Sequence, residues 1–131
     1  MLRYATDKSV GLDLCSQDDY WLGKNESAIF WTGLMAEDLE LKDGEVALVC
    51  SRSGLALSGI TVANSPGIID PDYKGEIGVI LHNGGFDTQF IKAGDRIAQL
   101  VILSGVRRIR KFEGNEVRGE RGDQGFGSTG V

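Results

Sequence analysis

Apolar runs in this chain are short, and turn chemistry interrupts them at close intervals, which leaves little room for amphipathic helices and favours strands. Residues 10–16 (VGLDLCS), 28–32 (IFWT with its leading Ala28), 45–50 (EVALVC), 76–83 (EIGVILHN) and 96–103 (RIAQLVIL) each read as a strand, with 88–91 (TQFI) lying between two turns. Asp43-Gly44, Gly84-Gly85 and Ala93-Gly94-Asp95 supply turns between them. Glycine reaches 19 residues while proline is confined to Pro66 and Pro71, a balance that points to an all-β domain. A chain of 131 residues fits one such domain with a single core.

The stretch 60–76, ITVANSPGIIDPDYKGE, concentrates the unusual residues. Ile60, Thr61 and Val62 form a β-prone run, Ser65, Pro66 and Gly67 supply a turn, and Ile68 and Ile69 resume the apolar run, so the pattern predicts a hairpin. Asp70-Pro71-Asp72-Tyr73 then places two carboxylates and a phenol where a strand would go on burying apolar groups. Taken alone, that is a polar turn braced by Pro71. Two further polar breaks accompany it: Arg52-Ser53-Gly54 at the end of EVALVC, and Arg121-Gly122 with Gly125-Phe126-Gly127-Ser128-Thr129-Gly130 near the C-terminus. Glycine-rich turns carrying Ser, Thr and Arg can cradle phosphate oxygens through exposed N–H groups and guanidinium forks. Residues 114–131 have neither helical nor strand period, so by composition they read as a flexible arm on a β-domain spanning 1–113. A short helical turn is expected at 55–57, residues 17–27 read as polar and turn-like, and the basic run 107–111 reads as a solvated edge strand.

A net charge of −5 argues against a sequence-independent nucleic-acid binder, and any anionic ligand needs a locally basic or N–H-rich site. No secretory signal and no run of membrane-spanning length is evident, so a soluble, cytoplasmic protein is expected. Cys15 and Cys50 lack CxxC spacing and read as buried free thiols. His82, the single histidine, sits at a strand end beside Asn83 and Gly84 and reads as a surface or capping residue.

The order and identity of the polar breaks resemble the motifs of the trimeric dUTPases from end to end. The matching segments are VGLDL, SRSGLA, NSPGIIDPDYKGE, GDRIAQL and RGDQGFGSTG. Leu12 stands where that family usually has Tyr, and Ser51 where it usually has Pro, so the loop before Arg52 is expected to be less rigid here.

The resemblance implies a jelly-roll-like distorted β-barrel, assembled as a homotrimer with sites between subunits and a C-terminal arm closing over each. It implies a dUTP pyrophosphatase in which Asp70 is the catalytic base and Mg²⁺ is the cofactor. Asn64 would read uracil, with Gly67, Ile68 and Ile69 completing the base contacts, and Tyr73 would pack on the deoxyribose. Arg52, Ser53, Gly54 and Gln99 would bind phosphates, while Arg121, Gly127, Ser128 and Thr129 would close over them and Phe126 would stack on the base. Asp13 would hold water on the metal. Gly78, inside a strand, reads as close approach of a ligand and hence as part of the base pocket. The residues support the oligomer separately, because EVALVC and RIAQLVIL are apolar on both faces and a two-layer domain leaves one of those faces uncovered.

Two other readings share the fold. A dCTP deaminase would need a glutamate where Ile80 stands and a second arginine where Leu57 stands, and neither aliphatic chain can relay a proton. A regulatory protein that uses this fold to bind a protein partner would find its surface in 17–27, the stretch that departs most from the family pattern.

Overall fold

The computed structural model describes residues 3–110. The elements in chain order are β1 (Leu12–Cys15), β2 (Tyr20–Leu22), β3 (Ser27–Met35), a 3₁₀ turn (Ala36–Leu39), β4 (Val46–Cys50) and α1 (Ser53–Leu57). These are followed by β5 (Ile60–Val62), β6 (Gly67–Ile69), β7 (Glu76–Asn83), β8 (Gln89–Ile91) and β9 (Arg96–Leu103). Every strand pairing is antiparallel. The strands form a four-stranded sheet in the order β1-β9-β4-β6, a three-stranded sheet β3-β7-β5 and a two-stranded sheet β2-β8. This is the all-β architecture expected from the short, turn-bounded runs, and it fits the jelly-roll-like fold that the resemblance implies.

Period-two alternation builds the core. In β7, Ile77, Val79, Leu81 and Asn83 are buried, while Glu76, Gly78, Ile80 and His82 point to a half-exposed face. Leu14 of β1, Phe30 of β3, Val49 of β4, Ile60 and Val62 of β5, and Ile97 and Leu100 of β9 meet the buried side of β7 in one core. The opposite face of the four-stranded sheet is covered less. Leu48 lies directly between Val101 of β9 and Ile68 of β6, and residues paired across strands share a face. Leu48 and Val101 are half-buried there, and Ile68 is 62% exposed.

Four expectations are corrected. Residues 60–69 are not a hairpin: β5 pairs with β7, whereas β6 pairs with β4, so the turn at Ser65-Pro66 carries the chain from one sheet to another. Local turn chemistry is the same for both routes, and only long-range pairing separates them. The stretch 17–27 contains β2, whose Trp21 pairs with Phe90 of β8, their ring centroids 4.7 Å apart. Residues 107–110 are exposed, as expected of a solvated segment, but form no strand. Cys15 and Cys50 are free but half-buried rather than buried. The helical turn placed at 55–57 is present and begins two residues earlier, at Ser53.

Candidate functional site

Strand pairing aligns the first group of site residues. Asp13 of β1 lies opposite Gln99 of β9, which lies opposite Cys50 of β4, so the three form one lateral row on the less covered face of the sheet. Arg52 follows Cys50 by two residues and turns back over this row, its Nε donating to Asp13 Oδ1 at 3.1 Å. Its NH1 donates to the carbonyl of Arg96 at 3.3 Å. Arg96 itself reaches Asp13 Oδ2 at 3.8 Å, so one carboxylate faces two guanidiniums. Arg96 was not among the candidates read from sequence. Its place beside Asp13 follows from the register shift at Leu14/Cys15, which sequence does not reveal. A cleft of about 280 Å³ opens beside the two arginines, lined by Leu55, Ile91, Gly94, Asp95 and Ile97 as well.

Gln99 is held by its Nε2 donating to the carbonyl of Ser51 at 3.1 Å. The glycine of VGLDL explains itself at this point. A Cβ on Gly11 would run into Oε1 of Gln99, so the absent side chain is the room that Gln99 occupies. Ser53 and Gly54 open α1 and are exposed. The sequence folds this way because Arg52 keeps an extended backbone (φ −97°, ψ 136°) from which a helix of five residues starts.

The second group hangs from β6. Asn64 is exposed in the turn before it, with its Nδ2 against Gly67, where a Cβ would stand 3.2 Å away. Gly67 and Ile69 are buried, pairing with Val49 and Ala47, while Ile68 projects outward. Asp70 follows Ile69 and is half-buried, at the head of a tight turn in which the Tyr73 N–H donates to the Asp70 carbonyl at 3.1 Å. The Tyr73 hydroxyl donates to the carbonyl of Glu76 at 2.6 Å, which fixes the half-buried ring at the edge of the core. Gly78 faces Trp31 across β3 and β7, and a Cβ there would lie 2.9 Å from Trp31 Cζ3 and 3.0 Å from Ile29 Cγ2. The close approach that the glycine permits is therefore made, in this chain, by Trp31.

The Arg52 cluster and the Asp70 turn are set toward opposite ends of β4, while the Asn64 end of β6 lies beside Ser51. Arg52 lies beyond the Cys50 end of β4, whereas Asp70 follows the residue paired with Ala47 near the other end. Three strand steps between Ala47 and Cys50 alone are about 10 Å. Arg121, Phe126, Gly127, Ser128 and Thr129 lie outside the described residues.

Among the described residues no group of three or more His, Cys, Asp or Glu could hold a metal ion, and Asp13 is already shared between two arginines. That donor set fits a cation carried mainly by substrate oxygens and water, with one protein carboxylate nearby, and does not fit a dedicated protein cage.

The dUTPase family model matches residues 1–130. The chain belongs to the dUTPase family. It is 47% identical over 132 residues to a deoxyuridine 5'-triphosphate nucleotidohydrolase of Anaplasma marginale, covering 98% of this chain and 87% of that one. Among solved structures it is similar to the dUTPase of Streptococcus mutans, with a TM-score of 0.76 at 25% identity, covering 85% of this chain and 89% of the other. It also shares the fold of a mutant dUTPase from phage phi11 of S. aureus, with a TM-score of 0.69 at 22% identity over 86% of this chain and 91% of that one. That phage structure is described as revealing the coordination of a structural Mg(II) ion. His82 is half-buried on β7, with its Nδ1 2.8 Å from Ser27 Oγ.

Proposed function

We propose that this chain is a dUTP pyrophosphatase that releases dUMP and pyrophosphate. Family membership across residues 1–130 supports a nucleotide hydrolase, and the pairing of Asp13 with Arg52 and Arg96 beside a cleft is the observation that carries the phosphate assignment. Water attacks the α-phosphorus, its proton passes to an Asp70 carboxylate oxygen, and the bond from the α-phosphorus to the bridging oxygen breaks to free pyrophosphate. Arg52, Ser53, Gly54 and Gln99 hold the phosphates, with charge supplied by the guanidinium and direction by the Gln99 amide. Asn64 and the backbone at Gly67, Ile68 and Ile69 read the uracil, and Tyr73 excludes a 2′-hydroxyl. Arg121, Gly127, Ser128 and Thr129 close over the outer phosphates, and Phe126 stacks on the base. Bound Mg²⁺, with Asp13 orienting its water, would offset charge on the leaving pyrophosphate.

The separation of the two groups along β4 supports the homotrimer. An Asp70 turn and an Arg52 cluster set at opposite ends of β4 in one chain can be brought together between two, and the apolar row Val101, Leu48 and Ile68 adjoins the Asp13 row on the same face. The site is therefore shared between subunits. Partner binding through residues 17–27 is an added role favoured by one observation, the 67% exposure of Trp21 where it stacks with Phe90.

The direct test is Asp70→Asn. The amide keeps shape but cannot accept the proton, so turnover of dUTP should fall by about 10² to 10⁴ while nucleotide binding persists. Pyrophosphate release and calorimetric binding measured on the same preparation separate the two, and turnover near that of the unaltered protein would remove Asp70 from the mechanism.

A further inference from the structure

Arg96, the first residue of β9, touches the Asp13 row at two points. Its carbonyl accepts from Arg52 Nη1 at 3.3 Å, and its own Nη1 stands 3.8 Å from Asp13 Oδ2. The second distance is too long for a hydrogen bond, and the Arg96 side chain is 59% exposed against 20% for Asp13. An ion pair of that kind adds little to folding. Among the described residues the Arg96 guanidinium makes no hydrogen bond, so its donors are unspent where it lines the cleft. Charge gives it a use. Arg52, Arg96 and Asp95 line the cleft and Asp13 stands against both arginines, so two cations meet two carboxylates in a chain of net charge −5. With Arg96 neutral, Asp13 and Asp95 would outnumber Arg52, and the cleft would repel an anion.

From this arrangement we infer that Arg96 is a positioning residue for the phosphate chain of the substrate. It shares Asp13 with Arg52, so that the carboxylate does not neutralise Arg52 alone, and it keeps the cleft from turning anionic. Arg52 is fixed by Nε on Asp13 Oδ1 and by Nη1 on the Arg96 carbonyl, which holds the plane of its guanidinium and leaves Nη2 for a phosphate oxygen. Asp13, Arg52, Arg96 and Gln99 belong to one chain and to one half of the shared site. Arg96 therefore acts with phosphate binding and apart from proton transfer at Asp70. Removing its charge should weaken substrate binding more than the chemical step. The inference rests on the proposed function, because that reading assigns Arg52 and Gln99 to phosphates.

The experiment compares Arg96→Gln, Arg96→Lys and Asp95→Asn with the unaltered protein, reading KM and kcat for dUTP with Mg²⁺ at low and at high ionic strength. Arg96→Gln should raise KM about tenfold at low salt with kcat held within about twofold. Added salt screens exposed charge, so the difference should shrink at high ionic strength. Arg96→Lys keeps the charge and should restore most of the loss. An unchanged KM in Arg96→Gln, equal losses in the Gln and Lys variants, or a loss in kcat alone would overturn the role. Should Arg96→Gln fail to fold, Asp95→Asn changes the charge of the cleft in the opposite direction while keeping an oxygen for the Lys92 N–H. It should lower KM about threefold, and an unchanged or raised value would overturn the role. Absence of dUTP turnover in the unaltered protein would sink the proposed function instead. Calorimetric binding of inorganic tripolyphosphate by the same variants then decides for Arg96: weaker binding in the Gln variant restored in the Lys variant supports it, and equal binding by all, or none by the unaltered protein, overturns it.

Discussion

Single residues in this protein are chosen as often for what they leave out as for what they supply. Gly11 leaves the space into which the Gln99 amide folds, and Gly78 leaves the space under Trp31. Gly78 was conspicuous in the sequence as a glycine inside a strand, but only the structure distinguishes room for a neighbour from room for a ligand. Tyr20 and Glu26 illustrate a residue pair that sequence did not connect: the Tyr20 hydroxyl donates to Glu26 Oε2, and the Gly23 N–H donates to Oε1 at 2.7 Å. The Tyr20 hydroxyl foremost, and then the Gly23 N–H, holds the Glu26 carboxyl below its usual range, and the same bond holds the Tyr20 phenol above its own. A carboxyl whose pKa is lowered in the folded state adds stability above its unfolded value, and that stability is lost as pH falls through the folded value. Tyr20→Phe should therefore move the Glu26 titration upward in an NMR pH series. Its small stability deficit should be visible at neutral pH and should fade under acid. An unmoved Glu26 titration would mean that the bond does not persist in solution.

At the scale of elements, type was largely legible and partnership was not. The runs EVALVC, EIGVILHN and RIAQLVIL are strands at β4, β7 and β9 with nearly the expected bounds, because alternation and flanking turns are local signals. The stretch 60–69 was misread as a hairpin because its turn residues suit both a hairpin and a sheet-to-sheet crossing. The same local reading overlooked β2, a three-residue strand that exists only because β8 lies beside it. Asn83 was overlooked as well, since a polar residue at a strand end looks like a surface position. It is fully buried, its Nδ2 donating to the carbonyls of Leu22 at 3.0 Å and Asp87 at 2.8 Å while Oδ1 accepts from the Gly85 N–H at 2.9 Å. This one amide fastens the end of β7 to β2 and to the loop before β8. Asn83→Ala strands two carbonyls and an N–H, each costing about 1 kcal/mol or more when buried, so a loss of about 3 kcal/mol is expected. Urea unfolding measures it, and a change below about 1 kcal/mol would show that water replaces the amide.

For the molecule as a whole, the order of the motifs names the residues proposed for the site as a set, whereas the placement of Arg52 and Asp70 toward opposite ends of β4 was not legible in sequence. That placement comes from the register of β4 against β6 and β9. Under the proposed function each polypeptide is a donor to one neighbour and a recipient from another, and this has a genetic reading. Two chains ruined at different ends can repair one another. Arg52→Ala and Asp70→Asn proteins, each nearly inactive alone, should regain activity when denatured together in equal amounts and refolded. Random assembly then brings an intact Arg52 and an intact Asp70 together at about one site in four. Recovery to roughly a quarter of normal turnover would mark the two substitutions as complementing alleles, and no recovery would return both halves of the site to a single chain.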